Sequence, residues 1–257
     1  MTQAPTTPAV RAAVRQGLSV AVATGLYGVS FGALSVAAGV GVLPTMALSL
    51  LLFSGGSQFA LVGVVGAGGS PVAAVATAVL LGARNTLYGA VVAPPLGVRG
   101  LRRVVAAQLT IDESAAVSSA QPDRRAARAG FWVAGAGVFV LWNAFTLLGA
   151  LAGGAMGDPR AWGLDAAAAA AFLALVWPRL ASRTAQLVAA IAVVVSAALI
   201  PVVPAGIPVL AAAASAIVVG LVAGRRAGGA EPFRAVHAAE AELEATEPAV
   251  VDEGPSA

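Results

Sequence analysis

Long apolar runs, joined by short arginine-bearing stretches, limit this chain's possible folds more than any other feature. They cover residues 17–41, 44–66, 71–93, 130–152, 163–177, 184–203 and 205–223. A helix rises about 1.5 Å per residue, so about 20 residues cross some 30 Å of hydrocarbon. Most of the runs are long enough; 163–177 is short and reads as a tilted, partly broken or half-buried helix. Of the 257 residues, only 11% are charged and 59% are hydrophobic, whereas a soluble domain carries about 25% charged residues. Such a chain has too few polar side chains to cover a water-facing surface, so lipid must be the missing solvent. The expected fold is all-α: a polytopic integral membrane helical bundle of about seven apolar segments.

The same composition excludes several function classes. All fifteen basic residues are arginine, and a Walker-type phosphate loop needs its lysine, so the chain is not an ATPase by itself. Without cysteine there is no disulfide framework and no thiolate metal site. The single histidine, His237, lies in the polar tail, so the apolar body can hold neither a His-based triad nor a zinc centre. No enzyme activity, metal or cofactor is expected. The arginines stand between apolar runs, as juxtamembrane charges do, which argues against a nucleic-acid partner.

Residues 1–16 form a polar lead with Arg11 and Arg15. The apolar stretch after it is too long for the 7–15 residues of a signal-peptide core. Residues 17–224 form the membrane domain, with a connector over about 97–129 that carries Asp112, Glu113 and Asp123. Residues 225–257 hold seven acids and three arginines and read as an acidic, disordered cytoplasmic tail. The positive-inside rule puts the connector, the 178–183 loop and the C-terminus in the cytoplasm. Arg11 and Arg15 argue the same for the N-terminus. Three full spans between 17 and 97 would then leave Arg99 on the wrong side. A broken or re-entrant helix near 53–58, where Phe-Ser-Gly-Gly-Ser-Gln interrupts the apolar run, removes the conflict; an external N-terminus with seven spans is the alternative.

Polar groups inside the apolar body need a reason to be there, because a charge at the bilayer centre costs several kcal/mol. Arg84 lies deep in the 71–93 run and requires a partner, a carbonyl cluster or a water-filled cavity. Its guanidinium fork suits a carboxylate, and a structural ion pair is the plain alternative. Ser54, Ser57 and Gln58 are spaced to share a helical face. With Gly55 and Gly56 they offer hydroxyls, an amide and backbone dipoles to a substrate, or hydrogen bonds to neighbouring helices. Asp112 and Glu113 are adjacent and so point to different faces of a helix; they form a gate or proton relay, or a solvated connector. Asp165 is a proton carrier or an interfacial N-cap. Tyr27, Ser30, Tyr88 and Asn143 are expected to pack behind the site, and the pairs Gly28/Gly32, Gly149/Gly153 and Gly220/Gly224 permit close helix approach.

Five motifs in order then carry a resemblance: Tyr-Gly-Val-Ser-Phe-Gly at 27–32, Phe-Ser-Gly-Gly-Ser-Gln-Phe-Ala at 53–60, Ala-Arg-Asn-Thr-Leu-Tyr-Gly at 83–89, Leu-Thr-Ile-Asp-Glu-Ser at 109–114 and Gly-Leu-Asp at 163–165. Over roughly residues 10–224 the chain resembles the AzlC family, the large subunits of bacterial branched-chain amino-acid exporters. That resemblance implies a secondary exporter of valine, leucine, isoleucine or methionine in the bacterial cytoplasmic membrane. It also implies a small AzlD-type membrane subunit and coupling to the proton gradient. Relatives often have Asn and His beside the arginine of the third motif; here Gly82 and Asn85 stand there, so no role for that His carries over. A non-transporting scaffold or regulatory subunit, or a transporter of another small organic anion, is the competing reading.

Overall fold

In a computed structural model, residues 8–153, 173 and 176–226 are described, and their regular elements are all helical. Asp165, nearly all of the 163–177 run and the tail beyond 226 lie outside them. Helix α1 (Pro8–Ala37) leads into two short helices, α2 (Val42–Leu51) and α3 (Gly56–Gly66). Next come α4 (Pro71–Gly82) and α5 (Arg84–Leu96), which together make one kinked rod. Two eight-residue helices, α6 (Leu101–Gln108) and α7 (Asp112–Ser119), precede α8 (Arg124–Gly153). After a 3₁₀ turn at Trp177–Ala181, α9 (Arg183–Leu199) and α10 (Ile207–Arg226) pack on each other.

Three helical stretches are long and apolar enough to cross a membrane: Pro8–Ala37, Pro71–Leu96 and Arg124–Gly153. Val42–Leu51, Gly56–Gly66, Arg183–Leu199 and Ile207–Val222 are shorter apolar helices. This inventory does not establish the expected count of about seven segments, because the 44–66 run is two half-length helices. At 10 and 11 residues, each rises only about 15–17 Å, roughly half the hydrocarbon thickness.

The two halves form a re-entrant hairpin. At the start of α2, the Thr45 hydroxyl is 2.6 Å from that of Ser35 near the end of α1. At the end of α3, a Cβ on Gly66 would come within 3.2 Å of Ala38 Cβ. Both open ends of the hairpin therefore sit at the C-terminal end of α1, and its tip dips into the bundle. The chain turns at Leu52 to Gly55, where Gly55 has φ 55° and ψ −78°, a region closed to side chains with a Cβ. The break expected near 53–58 is present, and it folds the 44–66 run into a helical hairpin.

The hairpin settles the charge conflict geometrically. Gln121 donates to Gln16 at 2.9 Å, joining the α7–α8 turn to the N-terminal part of α1. Arg124 and Arg128 donate to the carbonyls of Pro94, Pro95 and Leu96 at 2.6–3.1 Å. These carbonyls end α5, where proline removes N–H donors but leaves acceptors unfilled. Arg11, Arg15, Arg124, Arg125 and Arg128 thus share one end of the bundle with the 97–103 segment. At the opposite end, a Cβ on Gly69 would meet the Ala205 carbonyl at 2.8 Å, so the α9–α10 turn sits beside the α3–α4 turn.

Helices α1 and α8 make the largest interface, and glycine sets their separation. A Cβ on Gly28 would lie 2.6 Å from the Trp142 carbonyl, and one on Gly32 or Gly149 would overlap the carbonyls of Thr146 or Val29. Two of the three expected small-residue pairs, Gly28/Gly32 and Gly149/Gly153, thus lie at this contact. A Cβ on Gly220 would meet nothing within 4 Å. Overpacking ordinarily costs about 1–3 kcal/mol, and here the obstacle is backbone that no side chain can yield. Gly32→Leu is expected to give aggregated protein on size-exclusion chromatography in detergent, while Gly220→Ala elutes as the native chain does.

Candidate functional site

A cavity of about 250 Å³ opens at mid-height in the bundle. Its wall is Thr24 and Tyr27 from α1, residues 53–56 and Phe59 from the hairpin, Ile111, Asp112 and Glu113 at the start of α7, and Val138 and Trp142 from α8. Each contributing part of a long helix is near that helix's middle. Most of the surface is aromatic or aliphatic. Phe31, behind the wall, stacks on Trp142 at 6.0 Å and meets the Phe59 edge at 5.6 Å, so the rings are braced in place. Phe53 is held against Phe139 at 5.0 Å, edge to face.

The polar end follows from the helix break. An unwound stretch in a bilayer must have its backbone groups satisfied by protein, and three side chains reach in to do this. Gln58 Nε2 donates to the Leu48 carbonyl and Gln108 Nε2 to the Leu50 carbonyl, both at 2.9 Å. Arg84 Nη2 donates to the Ser54 carbonyl at 3.3 Å and lies 2.7 Å from Asp112 Oδ2. A kink delivers the guanidinium: α4 and α5 part at Ala83, whose carbonyl accepts from Thr86 N in a tightened turn at 3.1 Å. The arginine links the hairpin tip to α7.

Helix α7 is not the solvated connector its acidic sequence allowed. Its Asp112, Ser114, Ala115, Val117 and Ser118 are buried against α8, α5 and α1. Ser114 stitches the turn before it, accepting from Ile111 N at 3.0 Å and donating to the Leu109 carbonyl at 2.7 Å. Asp112 turns to Arg84, and Glu113 lies near Thr24 of α1. Both line the cavity, because they occupy the first turn of α7, whose end abuts the space.

Of the residues expected to touch substrate, Ser54, Gly55 and Gly56 line the cavity. Arg84, Ser57 and Gln58 stand outside its wall. Ser54 is not on a helical face with Ser57 and Gln58, because Gly55 unwinds the chain between them; the Ser54 and Ser57 hydroxyls still meet at 2.9 Å. Gln58 is fully buried, and its Oε1 has no partner among the described residues. Tyr27, expected behind the site, is in the wall itself. Ser30 is buried on α1, Tyr88 packs against the core and Asn143 donates to its own helix at the Phe139 carbonyl, 2.7 Å away. Sequence reasoning missed Thr24, Phe53, Phe59, Ile111, Val138 and Trp142. Two signals were present: Thr24 stands one turn before Tyr27, and Trp142 alone of the tryptophans sits mid-run.

A helical membrane protein with a re-entrant hairpin, a charge pair and an amphipathic cavity at mid-height has the architecture of a solute transporter. A family model described as AzlC protein matches residues 19–156, more than half of the chain, and the chain belongs to the AzlC family. This is a family of transporters, generally associated with amino-acid transport and export, and not of enzymes. The matched stretch contains the hairpin, Arg84, Asp112 and Glu113. No curated protein and no solved structure matches the chain.

Proposed function

We propose that this chain is a secondary transporter that exports branched-chain or other hydrophobic amino acids, such as Val, Leu, Ile and Met, driven by the proton gradient. The observation that supports it best is the cavity: a small, mostly aromatic and aliphatic space whose polar wall is made by two carboxyl groups and the backbone of the hairpin tip. A hydrophobic amino acid has that same division, with an apolar side chain and a compact charged head. Its carboxylate binds Arg84 beside Asp112 and the first N–H groups of α3 at Gly55 and Gly56, which offset the added negative charge, and its ammonium meets Glu113 and the Ser54 hydroxyl. Gln58 and Ser57 hold the hairpin tip in shape behind them, and Asp112 and Glu113 act as gate and proton relay. Asp165 remains a second relay candidate.

By the positive-inside rule, the arginine-bearing end of the bundle faces the cytoplasm, and Arg225 and Arg226 at the end of α10 support a cytoplasmic C-terminus by the same rule. The bacterial cytoplasmic membrane is the setting, and a small AzlD-type membrane subunit is the partner. Cells preloaded with labelled leucine, valine and methionine and expressing both chains are expected to lose label in an uncoupler-sensitive manner. Flat efflux, with both chains verified in the membrane, overturns the assignment.

A further inference from the structure

The charges around the cavity do not balance. Glu113 has Asp112 and Arg84 as its charged neighbours, and Arg84 already lies 2.7 Å from Asp112. Among the described residues, the other elements that face this space supply no second cation. From α1 come Thr24 and Tyr27, from the hairpin Ser54 and two glycines, and from α8 Val138 and Trp142. The α8 residues Arg124 and Arg128 are at the bundle end, on the α5 carbonyls. Two carboxyl groups therefore share one guanidinium at membrane depth. An uncompensated carboxylate there is strongly disfavoured, so the second carboxyl must carry a proton or meet a cation that enters from outside.

The wall beside Glu113 suits such a cation. Tyr27, Phe53, Phe59 and Trp142 place aromatic rings in it, and such rings attract ammonium groups. Trp142 is 4% exposed, and Phe31 stacks on it while Phe59 meets it edge to face, so its ring is held rigidly in this wall. We propose that the Glu113 carboxyl holds either a proton or the substrate's ammonium and never both, and that this exclusion couples export to proton entry. The inference rests on the cavity being the transport site. On the cytoplasmic side, R–NH₃⁺ displaces the proton of Glu113 to water. On the outer side, a proton returns to a Glu113 oxygen and the ammonium leaves. Each cycle carries one zwitterion out and one proton in, so one positive charge moves inward and the membrane potential contributes to the driving force.

The test uses the assembly that supports efflux, purified in detergent, with leucine titrated calorimetrically in buffers of different ionisation heat. About one proton is expected to be released per leucine bound, with Kd rising about tenfold for each unit of falling pH on the acid side of the Glu113 transition. The amine 3-methylbutylamine should release a proton in the same way, and 4-methylpentanoate should release none. E113Q should lose both proton release and pH dependence, and E113D should keep them. Leucine binding without proton release, or release that persists in E113Q, overturns the proposal and leaves the exporter reading intact. If E113Q does not fold, the native proton count and E113D decide. Failure of leucine, valine and methionine all to bind overturns the exporter reading, and this inference with it.

Discussion

Arg84→Ala is expected to lower efflux by about a hundredfold or more and to destabilise the bundle, because removing one partner of a buried ion pair costs about 3–5 kcal/mol and about 1.4 kcal/mol is a factor of ten. Two observations place the effect at the upper end. The guanidinium is only 27% exposed and Asp112 7% exposed, so water compensates little for the carboxylate left behind. The same Arg84 Nη2 also serves the Ser54 carbonyl, and losing it leaves the hairpin tip with an unfilled acceptor at membrane depth.

A loss of transport alone does not separate substrate recognition from structural support, and the double variant Arg84→Gln with Asp112→Asn does. Replacing both members of a buried pair by neutral groups of similar shape is often close to neutral for stability. The Gln amide also retains a donor for the Ser54 carbonyl. The double variant should therefore regain native elution and thermal stability in detergent. If Arg84 takes the substrate carboxylate, efflux stays near background. Efflux at the native rate would make the pair a brace only and shift recognition to Glu113 and the backbone at Ser54 to Gly56.

The parts of this site that were legible in the sequence share one property: they break a local rule. Paired glycines between hydroxyls interrupt an apolar run at 53–58, and an arginine sits where its burial is costly. Both announce themselves without reference to the rest of the chain. What stayed hidden depends on pairs far apart in sequence. Asp112 reads as a solvated connector residue because hydropathy weighs each charge alone, and its partner Arg84 is 28 positions earlier in the chain. Burial of α7 follows once the pair neutralises itself. The kink at Ala83 was invisible because alanine is the best helix former, and only the geometry there shows the turn. The hairpin and a full span also have the same apolar length, so counting runs could not tell three long spans with half-helices from seven crossings. Trp142 illustrates the remaining limit: its place beside Phe31 and Phe59 is decided by how closely Gly28 and Gly32 let α1 approach α8.

Gly55→Ala provides the second large effect, and its physical origin is different. A Cβ at Gly55 would have room, since its nearest neighbour is Trp142 Cη2 at 3.9 Å. Packing is therefore not what forbids the substitution. The backbone is: with φ 55° and ψ −78°, a side chain would be strained by roughly 1–3 kcal/mol, and the chain relieves this by moving out of the turn. Any such movement redirects the Ser54 carbonyl, which Arg84 grips, and displaces Ser54, Gly55 and Gly56 in the cavity wall. The expected result is efflux reduced by about tenfold or more, with expression and membrane insertion retained. Gly63→Ala supplies the control, for it lies in the helical part of α3 with nothing within 4 Å of its Cβ position. That variant should export at the native rate and be slightly more stable, because alanine favours a helix interior over glycine by about 1 kcal/mol. If Gly55→Ala transports normally while Gly63→Ala does not, the hairpin tip is not the part of the cavity that substrate touches, and the site must be sought along α3.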